Sequence, residues 1–222
     1  MVSIRKVSPE ASPVSLKERA YRIIRENIIN LSYPPGSVLN EKELVEQVGA
    51  SRTPIREALS RLEQDQLVVI LPQRGSFVAE ITAKTINDVY QVREMLEPEL
   101  VRLVVPVMDK ASLMAFRRRF TTLADDDYEA ATAADKDFHN FVMRSSNNDY
   151  VIQMMETLYA QNERIRILMI KAPLRLQASA YEHLAIIDAM LERDTDRAVE
   201  AMRVHMANAR RSAINFQLGI YD

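Results

Sequence analysis

"NEKELVEQVGASRTPIREALSRLEQDQLVVILPQRGSFV", residues 40–78, changes its apolar period partway along. Leu44, Val45 and Val48 recur at helical spacing, and Asn40 precedes Glu43 by three residues, the pattern of a capping box. Gly49 then supplies a left-handed stop. Thr53 is the expected N-cap of the next helix, because Pro54 suits a first turn and biases its predecessor toward extended angles; Ser51 is the alternative cap. Within that helix Ile55, Leu59 and Leu62 form an apolar back, while Arg52, Arg56 and Ser60 fall on another face near the amino end. Residues 67–81, "LVVILPQRGSFVAEI", read as two short strands around a Pro-Gln-Arg-Gly turn with Arg74 at its tip.

Working outward toward the amino end, Leu16, Ala20, Ile23, Ile24, Ile28 and Leu31 mark an earlier amphipathic helix that stops before Pro34-Pro35-Gly36. Three helices followed by a basic-tipped hairpin is the order of a winged helix-turn-helix. A helix whose back rests on two predecessors and whose first turn offers arginines can enter a DNA major groove, where a guanidinium fork matches the paired acceptors of guanine. Taken singly, Arg52 and Arg56 read more readily as solvated surface residues, and it is the order of the elements that favours DNA. The expected division is a flexible arm over residues 1–12, a DNA-binding domain over 13–81 and a second domain over 82–222.

The totals agree with a soluble protein. Apolar residues make up 47% and charged residues 27% of 222, and no apolar run approaches the ~20 residues that span a bilayer, so no membrane partner is expected. The amino terminus lacks a signal-like apolar stretch and there is no cysteine, which makes a cytoplasmic location the default. Net charge is −2; residues 1–81 hold 11 Lys+Arg against 10 Asp+Glu, and residues 82–222 hold 18 against 21. Binding to a polyanion must therefore rest on a local patch.

From Thr85 onward glycine is absent until Gly219, and helices are expected near 85–105, 110–124, 128–145, 149–171, 176–192 and 195–217. The whole chain is thus mainly α, with an all-α bundle behind the winged domain. Its three histidines, His139, His183 and His205, all lie in the bundle. Asp135 and His139 stand at i and i+4 on one helix, so a carboxylate and an imidazole can share a face. Three imidazoles and a carboxylate suit a divalent Zn, Ni or Mn ion. Spacing alone leaves open whether they are ligands or ordinary packed residues. Arg93 offers either a two-pronged partner for an acid or an ion pair with Glu97. Arg164 and Arg166 are further candidates for that acid; the runs Arg117 to Arg119 and Asp125 to Asp127 read as solvated faces, and the methionines as core filling.

Two resemblances extend this reading. Residues 34–78 resemble the winged helix-turn-helix of the GntR family of bacterial transcription regulators, through "SRTPIREAL" and "RGSFV" above all. The resemblance implies DNA contacts by Lys42, Ser51, Arg52, Thr53, Arg56, Arg74 and Gly75. Gln66 stands where that family usually has glycine, and keeping a left-handed turn there costs about 1 kcal/mol. "DVYQVREMLEPELVRLVV", "ADKDFHNFVMRSSNNDYV" and "YEHLAIIDAMLERDTDRAVEAMRVHMANA" resemble the FCD effector domain of the FadR subgroup. That resemblance implies a metal on Asp135, His139, His183 and His205, a small organic acid effector completing its coordination, an acid-binding role for Arg93, and a homodimer on double-stranded operator DNA. The expectation is a repressor rather than an enzyme. A metal sensor without an organic effector is the nearer rival, and a metal-dependent hydrolase the more distant one.

Overall fold

The structure, a computed structural model, describes residues 15–124, 127–169 and 173–220; the expected arm, Asp125 and Asp126 lie outside them. It divides into two compact units, one ending at Ala79 and the other running from Glu80, with Ile29–Leu31 belonging to the second.

The first unit contains α1 (Leu16–Ile29), β1 (Val38–Leu39), α2 (Glu41–Val48), α3 (Arg52–Gln64), β2 (Val68–Leu71) and β3 (Gly75–Val78). Ala20, Ile24 and Ile28 of α1 are fully buried with Leu44, Val48, Ile55, Leu59 and Leu62, while Leu16, counted in the same apolar stripe, is exposed. Asn40 caps α2 by accepting from the Lys42 N–H at 2.9 Å; its amide donates to Glu43 at 3.1 Å, so the box closes through side chains. Gly49 ends α2 at φ 67°, donating its N–H to Val45.

Helix α3 starts earlier than its proline suggested. Ser51, not Thr53, occupies the N-cap position, with extended backbone and no side-chain cap bond. The first N–H groups of any helix lack an intrahelical acceptor, so Pro54 can sit inside the first turn without losing a bond. At the other end Gln66 adopts φ 59°, and Leu67 N–H reaches Leu62 O at 2.9 Å, so the glycine-type closure is kept without glycine. The hairpin pairs Leu71 with Gly75 around Pro72, Gln73 and Arg74, with Gln73 at φ 62°. Burial alternates along β3, Ser76 and Val78 facing in. A two-residue strand that the pattern was too short to show, β1, pairs Val38 with Phe77 and gives the sheet order β1-β3-β2.

The second unit contains, among its described residues, helices joined by short turns: α4 (Ala83–Val104), α5 (Lys110–Thr121), α6 (Tyr128–Ser145), α7 (Asp149–Leu168), α8 (Pro173–Leu191) and α9 (Thr195–Gln217). Side chains of Thr82, Asp109, Asp127, Asn148 and Asp194 accept from first-turn N–H groups, which explains where five of the six begin. Helix α8 opens at Pro173, a residue suited to a first helical position, three residues before the expected start. Phe138, Val142, Met143, Met155, Ile186, Met190, Met202 and Met206 are buried in one core, where the unbranched methionines fill gaps as expected. Arg117 and Arg119 do more than face solvent: they pair with Asp188 and Asp137 at 2.7 and 2.6 Å, tying α5 to α8 and α6. Among the described residues no helix is long and apolar enough to cross a membrane.

Candidate nucleic-acid interface and metal centre

In the first unit, Lys42 lies in the first turn of α2, Ser51, Arg52, Thr53 and Arg56 at the start of α3, and Arg74 and Gly75 at the hairpin tip. All seven are exposed, while Ile55, Ala58, Leu59 and Leu62 on the back of α3 are buried. Arg56 Nε donates to both oxygens of Glu41, at 2.9 and 3.0 Å. Among the described residues no carboxylate pairs with Lys42, Arg52 or Arg74, so their charges face water. Gly75 has φ 101°, and nothing lies within 4 Å of where a Cβ would stand. Backbone conformation, rather than crowding inside the chain, requires glycine there. A support missed in the sequence holds α3 from behind: Tyr21 donates to Asp65 at 2.6 Å, and the Arg61 guanidinium lies 3.7 Å over the Tyr21 ring while pairing with Glu18 at 2.7 Å.

In the second unit, four side chains distant in sequence come together. Asp135 and His139 project from one face of α6, His183 from α8 and His205 from α9, with their ligand atoms all within 4.8 Å of one another. His139 Nε2 lies 3.2 Å from His205 Nε2 and 3.3 Å from His183 Nε2, and Asp135 Oδ1 lies 3.3 Å from His183 Nε2. The histidines are 3%, 0% and 1% exposed. Asp135 is the open edge, with its side chain 20% exposed. Phe120 stacks on His183 with ring centroids 4.5 Å apart, and Phe138 meets the same ring edge-on at 5.4 Å.

The other nitrogen of each imidazole is held. His139 Nδ1 donates to Glu97 of α4, His183 Nδ1 to the Ser179 carbonyl at 2.7 Å, and His205 Nδ1 to Glu182 at 2.7 Å. Glu182 is fixed in turn by Asn208 at 2.8 Å. With all three Nδ1 atoms acting as donors, all three Nε2 atoms turn inward, where each offers a lone pair in the neutral form of its ring. Such outer hydrogen bonds fix tautomer and orientation in metal sites. Burial, and then the neighbouring His205 and His139, push His183 well below its ordinary value of 6.5, so its lone pair is not capped by a proton at neutral pH.

Lone pairs at 3.2 and 3.3 Å repel unless a cation lies among them. Two nitrogens each ~2.0–2.1 Å from one tetrahedral ion stand about 3.3 Å apart, so spacing, donor type and tautomers all fit a divalent metal. Beside the cluster is a cavity of about 100 Å³ lined by Tyr90, Arg93, Phe120, Asp135, Arg166 and His205, among others. That equals roughly three water volumes, or a small organic molecule.

Of the two readings of Arg93, the ion pair with Glu97 is the one the structure shows. Arg93 also donates to Asn162 Oδ1 at 2.7 Å and still lines the cavity. Burial opposes ionisation of Glu97, but the Arg93 guanidinium and the hydrogen bonds from His139 and Arg93 outweigh it and keep that carboxyl below the ordinary range. Arg166 faces the cavity while pairing with Asp135 and Glu163. Burial, then repulsion by Arg93, draws it down to about 9, which leaves it charged at neutral pH. Arg164 is fully buried, donates to Gln161 at 3.0 Å and does not line the cavity. Glu97, Glu182, Asn162 and the Ser179 carbonyl were missed as site groups; only Glu97 had a signal, its i+4 spacing from Arg93.

Comparison with known proteins agrees with both halves. Residues 16–78 match "Bacterial regulatory proteins, gntR family", and residues 88–208 match the FCD domain. The chain is similar to the HTH-type transcriptional repressor RspR of Escherichia coli K12, 26% identical over 199 residues and covering 86% of each protein. In fold it resembles a GntR transcriptional regulator from Rhodococcus sp. RHA1, with TM-score 0.77, 24% identity and coverage of 93% of this chain and 99% of that one. It also resembles the Zn²⁺-bound FCD domain of TM0439, with TM-score 0.53, 19% identity and coverage of 63% and 99%. This chain belongs to the GntR family, as a DNA-binding transcription regulator carrying an FCD domain, and is not an enzyme.

Proposed function

We propose that this GntR-family chain is a repressor whose homodimer grips a two-fold operator through residues 13–81, and whose operator affinity is set by a small carboxylate metabolite at a metal in residues 82–222. Lys42, Ser51, Arg52, Thr53, Arg56, Arg74 and Gly75 form the DNA-facing set. Asp135, His139, His183 and His205 hold the ion, and Arg93 and Arg166 face the acid. The reading of a repressor is supported by the name of the E. coli relative, and zinc as the ion by the zinc-bound FCD fold.

The observation that carries this reading is three buried imidazoles, each pinned at Nδ1 with its Nε2 turned toward a shared point beside a cavity with two arginines. Charge explains why ion and acid belong together. Of the charged side chains that line the cavity, Arg93 is neutralised by Glu97 and Arg166 by Asp135 and Glu163, so the cavity alone offers an anion little net attraction. A bound divalent ion would supply Lewis acidity for a carboxylate oxygen and add positive charge beside the arginines. The arginines then orient the acid, and the aromatic walls exclude water. An acid alters DNA affinity only to the extent that it binds one state of the protein better.

The test is fluorescence anisotropy on a duplex selected by the protein from a random pool, using metal-stripped and zinc-loaded protein and a panel of small hydroxy and sugar acids. A shift in DNA affinity that needs both zinc and one acid supports the reading. A full response to zinc alone makes the protein a metal sensor, and none in either form removes the regulatory role of the site.

A further inference from the structure

Outside the four candidate ligands, Glu97 is the carboxylate, among the described residues, that contacts both a candidate ligand and a cavity-facing arginine. One oxygen accepts from Arg93 Nε and the other from His139 Nδ1, and the side chain is 1% exposed. Arg93 is held on its far side by Asn162 at 2.7 Å and faces the cavity, while His139 turns its Nε2 toward the other ligands. Glu182 performs the first of these tasks for His205. It fixes His205 at 2.7 Å, but its second oxygen accepts from the neutral amide of Asn208 at 2.8 Å. His183 depends on no carboxylate, since its Nδ1 donates to a backbone carbonyl. Two metal-facing histidines are thus supported by carboxylates, and Glu97 leads on to Arg93 in the cavity wall.

We infer that Glu97 is a positioning residue that relays metal occupancy to the acid-binding subsite: it sets the tautomer of His139 for the ion and, through the same carboxylate, the placement and charge of Arg93 for the acid. The inference rests on the reading of Asp135 and the three histidines as a metal site. The physical basis is that a carboxylate shared by two donors divides its negative charge between them. His139 would hold the ion through Nε2, and with electron density drawn that way its Nδ1–H would be a stronger donor to Glu97. Arg93 is then less neutralised and better able to hold an anion. Geometry makes the link specific, because an amide at position 97 can accept through one atom only and must turn an N–H toward the other donor.

The experiment uses the full-length chain, zinc alone as probe, and the variants E97Q, E97D and E182Q. Zinc affinity is measured by competition with a chelator, and the Arg93 Nε–H resonance is followed by NMR as zinc is added. Zinc should bind about 10–100-fold more weakly to E97Q and to E182Q. The two should part at saturating zinc: the Arg93 signal moves in wild type and E182Q, and stays in place in E97Q. E97D keeps the buried charge and so protects against loss of fold, yet it is one methylene too short to reach both donors, and its Arg93 signal should also stay. Zinc affinity of E97Q within about 2-fold of wild type, or an Arg93 shift equal in wild type and E97Q, overturns the relay. Wild-type protein that takes up no zinc overturns the metal reading beneath it, and is seen before any variant is compared.

Discussion

The two units place chemistry in opposite locations. In the first, the DNA-facing candidates are exposed side chains on a scaffold whose buried residues are entirely apolar behind α3; in the second, the candidate ligands are buried polar groups inside the core itself. Exposed arginines at a helix start need only a rigid back, whereas buried imidazoles need each unused nitrogen matched by an acceptor. Surface variants in the first unit should therefore separate function from stability, and interior variants in the second should not.

The comparison breaks first, and most visibly, at Phe138. Its ring is fully buried against Phe116, Phe120 and His183, so Phe138→Ala should cost about 3–5 kcal/mol of stability and loosen the histidine cluster at once. Chemical denaturation with parallel zinc titration checks both. Next, Arg52→Ala should weaken binding to the selected duplex by about 1–3 kcal/mol while the melting temperature stays unchanged; a variant that loses both would erase the contrast. pH sharpens it further. His183 is held below its unfolded value, so below about 6.5 the unfolded chain takes up a proton that the folded metal-free chain refuses. Stability should then fall with falling pH, by at most about 1.4 kcal/mol per unit from this group, in a metal-free urea series from pH 7.5 downward. The smallest effect belongs to Gln66, already left-handed at φ 59°: Gln66→Gly should add about 0.5–1 kcal/mol, since glycine meets no Cβ penalty there.

Legibility in the sequence follows the same division. Ile55, Leu59 and Leu62 against Arg52 and Arg56 reveal the first unit because interacting residues are neighbours in the chain, and so are the cap, turn and wing. What failed there was local: Thr53 looked like the cap because a proline follows it, and β1 is too short to carry a period. In the second unit the helices were readable from their spacing and the absence of glycine, and all four candidate ligands were named from residue type, one i+4 pair and resemblance. Their supports were not. Glu182 precedes His183 yet holds His205, twenty-three residues away, and the acceptor for His183 is a carbonyl that any residue could supply. Tertiary pairing leaves no mark in sequence spacing.

The inward lone pairs of His139, His183 and His205 have a consequence for the life of the protein in a cell. An ion that enters counts as part of the folded state, so each tenfold rise in its free concentration above the dissociation constant adds about 1.4 kcal/mol against unfolding. On the proposed metal reading, starvation for that element would shorten the survival of the regulator against proteases, and nutrient supply would thereby set how many copies are present.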